Sequence, residues 1–346
     1  MATEEQLKLL QQLSSKDEPS RNLNDHILLV DSMNMFLRAW SIASYINSKG
    51  HEVGGMTGFL KSLAAVVRQF RPTRVIVVWD GKGGATNRKH INANYKANRD
   101  TAAVIKWDVY DTKEDEVESM EAQIERLQDY LACLPVTTLE VPKLEADDII
   151  AYLAQAASKS GHKATIVSMD KDFLQLVDRN ISVWSPLVKI LYDYETTKSR
   201  LEVLPENFNI VKALQGDKSD NLRGVKGIGL KTLVKLFPGL VSNPDFTLEE
   251  IFDSGSQLMT EKKQYAQIIS DWNTVETNYK LMNLHESVLD ASEKSIIYDR
   301  IKDLGNLKLR IGPFMQLLEQ DCIEGITNST EDWLVNSFAD LQNYTE

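Results

Sequence analysis

Residues 26–31 read His26-Ile-Leu-Leu-Val-Asp31, and residues 74–80 read Arg74-Val-Ile-Val-Val-Trp-Asp80. Each is an apolar run of strand length closed by an aspartate, the pattern of a strand buried on both faces. Between them, Gly55 to Phe70 places Met56, Phe59, Leu60, Leu63 and Val67 at helical spacing. The alternation continues outward. Thr137 to Val141 reads as a strand, Glu145 to about Ala157 as a helix, and Ala164-Thr-Ile-Val-Ser168 and Ile181 to Ser185 as further strands. Strands alternating with helices predict an α/β fold, a mostly parallel sheet flanked by helices.

After about residue 206 the pattern changes. Phe208 to Leu214 reads as a helix, Gly216 to Leu236 is rich in Gly, Lys and Asp, and the remainder carries helical patterning with polar linkers. Before residue 26, Leu9, Leu10 and Leu13 suit a short amphipathic helix. The expected division is an N-terminal extension (1–25), an α/β core (26–205) and a C-terminal helical region (206–346).

The chain has 346 residues, 42% hydrophobic and 26% charged, ordinary globular values. Cys133 and Cys322 are far apart and form no CxxC pair, which suits a reducing interior. The opening MATEEQLKLLQQ carries acids where a signal peptide carries bases, and no apolar run approaches the roughly 18 residues of a membrane span. The expectation is a soluble, intracellular protein. A net charge of −11 argues against nucleic acid when taken alone. Clustered metal-binding acids distort that test, so local charge decides.

The acids fall in a telling pattern. Asp31 and Asp80 end the first two strands, and Asp170 and Asp172 follow the strand ending at Ser168. In a parallel sheet those ends share one edge, where ligands of open α/β folds bind. Glu145, Asp147 and Asp148 open a helix, and Asp217 and Asp220 begin the Gly-rich segment. An isolated Asp after a strand is often a turn residue or helix cap. Nine that converge on one crevice need cations to neutralise them, and oxygen ligands suit Mg²⁺ or Mn²⁺. Two such ions about 4 Å apart activate a water and stabilise the leaving oxygen of a phosphodiester. The five histidines show no zinc spacing, and no GxSxG elbow is present.

Residues 81–99 contain Lys82, Arg88, Lys89, Lys96 and Arg99 and no acid. The stretch follows Asp80 directly, so it should overhang the crevice, with basic groups for phosphate and Tyr95 offering a face to a base. The segment 111–129, by contrast, is strongly acidic and reads as a solvated helix face. Farther on, Gly224, Gly227 and Gly229 permit a tight hairpin whose amides hold one backbone phosphate, with Lys226 and Lys231 adding charge. The same glycines nearly spell a Walker A loop, but the spacing to Lys231 is one residue too long and a helix, not a strand, precedes them.

Taken together, Asp31, Asp80, Tyr95-Lys96-x-x-Arg99, Glu145-Ala-Asp147-Asp148, Asp170-Lys-Asp172 and Gly216-Asp217-x-x-Asp220-Asn221 followed by GVKGIG resemble the 5′-nuclease or flap-endonuclease family over about residues 26–237. Asn278 to Met282 and Gly312 to Phe338 look more like the T-even bacteriophage ribonuclease H branch of that family. The resemblance implies a PIN-like core, a helical arch over 82–130, and a helix-hairpin-helix DNA-binding motif. By the same resemblance, Asp31, Asp80, Glu145, Asp147 and Asp148 serve a first Mg²⁺. Asp170, Asp172, Asp217 and Asp220 serve a second, some through water.

Lys96 and Arg99 then contact the scissile phosphate, so Arg99→Ala should slow cleavage while sparing duplex binding. Arg88, Lys89, Tyr95, Gly224, Lys226, Gly227, Gly229 and Lys231 face DNA, with K⁺ on the hairpin carbonyls. The implied partners are branched or 5′-ended duplex DNA and RNA–DNA. A single-stranded-DNA-binding protein or sliding clamp is the implied protein partner of a monomer, located in the host cytoplasm if phage-encoded. The rivals are a catalytically inactive branched-DNA-binding protein of the same fold and a PIN-type ribonuclease. The complete acid set with Lys96 and Arg99 counts against the first, and the hairpin and the long 82–130 segment count against the second.

Overall fold

The computed structural model describes residues 22–96, 106, 108–285, 289–302 and 307–344. The expected helix around Leu9 to Leu13 and the side chain of Arg99 lie outside these residues. The chain begins with β1 (His26–Asp31), α1 (Ser32–Ile42), α2 (Gly54–Phe70) and β2 (Arg74–Trp79). Next come α3 (Thr86–Ile91), α4 (Lys113–Leu131), β3 (Thr137–Glu140), α5 (Ala146–Lys159) and β4 (Lys163–Val167). A 3₁₀ helix (Lys171–Leu176) leads to β5 (Ile181–Ser185), β6 (Ile190–Tyr192) and α6 (Tyr194–Leu201).

These strands form one sheet in the order β3-β2-β1-β4-β5-β6. All neighbours are parallel except β5 and β6. The chain builds outward from β1 to β3 on one side, then returns to place β4 on the other. That reversal puts a switch point between β1 and β4, where the strand ends open a crevice.

The apolar strands bury both faces because side chains alternate. Leu29, Ile76, Val78 and Ile166 join one core with Ile149, Ile150 and Leu153 of α5. Leu28, Val30, Val75 and Val77 join the other with Phe36 and Trp40 of α1, and Phe59, Leu60 and Leu63 of α2. Each fully buried aliphatic side chain stabilises the fold by about 1.5–3 kcal/mol relative to exposure. In all six residues β2 is buried, as its unbroken apolar run requires.

Beyond the sheet lie α7 (Phe208–Gln215), the two-residue strands β7 (Gly216–Asp217) and β8 (Leu222–Arg223), and α8 (Leu230–Leu236). Gly216 and Gly224 stand back to back there. A Cβ on Gly216 would lie 2.3 Å from Gly224 N, and one on Gly224 would lie 2.0 Å from the Gln215 carbonyl oxygen. Gly216 also has φ +72°, a left-handed conformation that favours glycine. Helices fill the described remainder, with Trp272–Met282 packed against α7. No described helix is long and apolar enough to cross a membrane.

Candidate active site

The three strand-end acids double as caps, which fixes where they point. Asp31 accepts from Asn34 N at 3.2 Å and so caps α1. Asp170 accepts from Asp172 N at 2.8 Å and caps the 3₁₀ helix. Asp80 acts across space: its Oδ1 accepts from Ala146 N at 2.8 Å, the first residue of α5. That bond brings Glu145, Asp147 and Asp148 to the end of β2. Two further bonds stitch β4 to β1. Ser168 Oγ donates to Asp31 Oδ2 at 2.8 Å, and Met169 N donates to Asn34 Oδ1 at 2.8 Å.

Glu145, Asp147 and Asp148 each offer a carboxylate oxygen within 4.8 Å of the others'. Among the described residues, Asp170, Asp172, Asp217 and Asp220 do not close to that degree. They belong to the same field nonetheless. Burial pushes Asp31 up to about 7, with the charges of Asp170 and Asp80 adding to it against the bonds from Ser168 and Asn34. Burial likewise pushes Asp148 to about 7, reinforced by Asp147 and opposed by Arg88. For Asp172, burial and then Asp170 raise it to about 7 against Lys212, and Asp217 adds to the rise. Burial raises Asp170, with the charges of Asp147 and Asp220 acting in the same sense. The charges of neighbouring acids thus act on Asp31, Asp148, Asp170 and Asp172. Their donors are hard oxygens, and negative charge is held there at a cost, so the set fits divalent cations of the Mg²⁺ class.

Two basic side chains from the segment after β2 reach into this crevice. Arg88 on α3 contacts Glu145 Oε2, holds Asp148 at 2.7 and 2.9 Å, and reaches Asp147 at 3.3 Å. Lys96 pairs with the other oxygen of Glu145. Its backbone is fixed from a distance: Lys96 N donates to Asp220 O at 3.1 Å, and Asn221 Nδ2 donates to Asn94 O at 3.0 Å. The turn carrying Lys96 is thereby tied to the loop carrying Asp220.

Three expectations change in detail. Arg88, expected on an overhanging DNA-facing loop, is instead buried among carboxylates, because three unpaired acids there would be costly without it. Tyr95, expected to offer a face to a base, is 2% exposed and packs with Leu222, Leu281 and Met282, filling the gap between its own turn and helix Trp272–Met282. The acidic helix α4 is solvated at Glu114, Asp115 and Glu118, but Glu116 is buried. Its Oε1 accepts from Lys106 N at 3.0 Å, and the Lys106 ammonium pairs with buried Glu52 at 2.6 Å.

Lys89 stays exposed on α3. In the glycine hairpin, Val225 and Ile228 are buried, while Lys226, Gly227, Gly229 and Lys231 are exposed. Sequence reasoning missed Lys212, whose ammonium lies between Asp172 and Asp217. Burial works against its charge, but those two acids outweigh burial and raise its pKa. In turn, Lys212 and Ser219 bring Asp217 down to about 2 against burial. The available signal was a lone charge in FNIVKALQ, an otherwise uncharged helix.

Comparison with known proteins places the fold and the family. Residues 26–203 match the family described as "5′-3′ exonuclease, N-terminal resolvase-like domain". A 5′-3′ exonuclease of Aquifex aeolicus is 31% identical over 265 residues, covering 76% of this chain and 83% of that one. A 5′-3′ exonuclease of Bacillus subtilis is 32% identical over 275 residues, covering 77% and 85%. Among solved structures, the D15 flap endonuclease of bacteriophage T5, in complex with DNA and metal ions, shares the fold. Its TM-score is 0.60 at 20% identity, covering 85% of this chain and 98% of that one. With a family match over half its length and two bacterial relatives matched over most of theirs, the chain belongs to the 5′-3′ exonuclease family.

Proposed function

We propose that this chain hydrolyses phosphodiesters at 5′ ends and 5′ flaps of DNA and RNA–DNA, in the 5′ to 3′ direction, in the removal of replication primers. The observation that carries this reading is the cluster of Glu145, Asp147 and Asp148, tied to the end of β2 through Asp80 and met by Arg88 and Lys96. Asp31, Asp80, Glu145, Asp147 and Asp148 hold a first divalent ion. Asp170, Asp172, Asp217 and Asp220 hold a second. Mg²⁺ is the ion proposed, with Mn²⁺ able to substitute, since every ligand is a carboxylate oxygen. Two divalent ions, when bound, supply activation of a water and support for the departing 3′ oxygen.

The protein's own groups orient the phosphate. Lys96 exchanges its pairing with Glu145 for a phosphate oxygen and offsets the charge that grows there. Arg99 joins it by the sequence resemblance. Lys89 carries exposed positive charge at the root of the 82–130 segment, the proposed arch for a 5′ single strand. The exposed Lys226, Gly227, Gly229 and Lys231 of the hairpin hold the duplex without reading its sequence, with K⁺ on the hairpin carbonyls. A monomer inside the cell, meeting a single-stranded-DNA-binding protein or clamp at a replication site, completes the reading.

The test is product length on a flap duplex labelled at its 5′ end, with DNA or RNA in the 5′ strand. One long fragment ending near the junction identifies flap cutting, and short products identify exonucleolysis. An intact substrate in both forms contradicts the proposal.

A further inference from the structure

Lys212 is the one charged side chain of α7. Its ammonium lies 2.6 Å from Asp172 Oδ1 and also contacts Asp217 Oδ2. The two acids come from different parts of the chain. Asp172 stands in the 3₁₀ helix behind β4, and Asp217 in β7, next to the loop that leads to the glycine hairpin. Asp217 Oδ1 is separately held by Ser219 N at 2.7 Å. The Lys212 side chain is 13% exposed, so it has little access to water as an alternative partner.

We propose that Lys212 is a positioning residue for the second divalent ion, one that holds Asp172 and Asp217 in the relative placement that ion needs. The inference rests on the two-ion reading above. Without a bridging cation, the two carboxylates repel each other and turn apart whenever the ion is absent. With Lys212 between them, one oxygen of each is tied down, and Asp172 keeps its other oxygen for the ion. Groups that orient metal ligands in this way typically matter about 10–100-fold in metal affinity.

A second physical effect has the opposite sign, which makes the inference testable. A lysine near a metal site also repels the incoming ion. If repulsion governed, removing the charge would tighten binding. If positioning governs, removal weakens it.

The experiment is titration of the full chain with Mn²⁺ in the absence of DNA, reading free Mn²⁺ by electron paramagnetic resonance. The unmodified chain is expected to bind in two steps. Lys212→Met is expected to weaken the second step by about 10–100-fold and leave the first nearly unchanged. Lys212→Arg, which can reach both carboxylates, is expected to restore most of the loss. Circular dichroism in EDTA checks the fold. Lys212→Gln carries the same expectation as Lys212→Met if the latter does not fold. A second step that is unchanged or tighter in the uncharged variants overturns the positioning role while leaving two ions in place. A single step in the unmodified chain overturns the two-ion reading and this inference with it.

Discussion

Arg88 grips Asp148 with both terminal nitrogens, Nη2 to Oδ1 at 2.7 Å and Nη1 to Oδ2 at 2.9 Å, where the two side chains are only 9% and 7% exposed. The same guanidinium reaches Glu145 and Asp147. One guanidinium thus offsets charge on three buried or half-buried carboxylates. Arg88→Met should therefore destabilise the protein in EDTA by about 3–5 kcal/mol, the cost of leaving buried charge unpaired. Part of that loss should return with Mg²⁺, which supplies positive charge at the same carboxylates. Denaturant unfolding in the two conditions checks this, and an equal loss in both contradicts it.

Stability in the absence of metal should depend on pH. Burial holds Asp31, Asp148 and Asp172 up at about 7, well above the ordinary carboxylate range. Folding thus favours their protonated forms, and the stability they contribute is full below about pH 4 and is lost as pH rises through 7. Asp217, brought down to about 2, contributes in the opposite sense, with its share lost as pH falls toward 2. Between pH 5.5 and 8 the raised acids govern, and Asp170, also raised by burial, acts in the same sense. In EDTA the Tm should be lower at pH 8 than at pH 5.5, and Mg²⁺ should remove most of that difference. A Tm that is flat or rising over this range in EDTA contradicts the assignment.

Strand placement was legible in the residues because β1 and β2 are unbroken apolar runs that no solvent-facing element tolerates. The caps explain why the acids were legible too: Asp31 and Asp170 are turn-type aspartates whose capping bonds aim them along the sheet edge. What stayed hidden depends on partners distant in sequence. Tyr95 is a surface aromatic in its own turn and becomes core only against Leu222, Leu281 and Met282. Glu116 looks like its acidic neighbours and is buried only because Lys106 and Trp40 meet it. Arg88 and Lys212 follow the same logic, since a cation's burial is set by the acids that surround it.

Asp80→Asn separates fold from chemistry. The amide keeps the oxygen that accepts from Ala146 N, so the start of α5 stays in place. Its negative charge is lost. Cleavage should fall by orders of magnitude, while the Tm and duplex binding change little. Single-turnover cleavage together with fluorescence anisotropy on the same substrate checks both halves. A variant that cuts normally removes Asp80 from the metal ligands.

The glycine hairpin offers a matched pair. A Cβ on Gly224 overlaps the Gln215 carbonyl, so Gly224→Ala should disrupt the hairpin and lower the Tm. Nothing lies within 4 Å of a Cβ on Gly229, and its φ of −105° suits any residue. Gly229→Ala should change stability by no more than about 0.5 kcal/mol, as ordinary surface substitutions do. Severalfold weaker duplex binding is expected from it, because the methyl group keeps a phosphate from the exposed backbone at Gly229. Unchanged duplex binding in a folded Gly229→Ala protein excludes the hairpin as the duplex contact.

The most direct measurement is cleavage of a labelled 5′-flap duplex in Mg²⁺, with EDTA and Asp170→Asn run in parallel. Cutting in Mg²⁺ that disappears in both controls is the expected result. Binding of the substrate without cutting, in Mg²⁺ and again in Mn²⁺, contradicts a metal-dependent nuclease and leaves a branched-DNA-binding protein of the same fold.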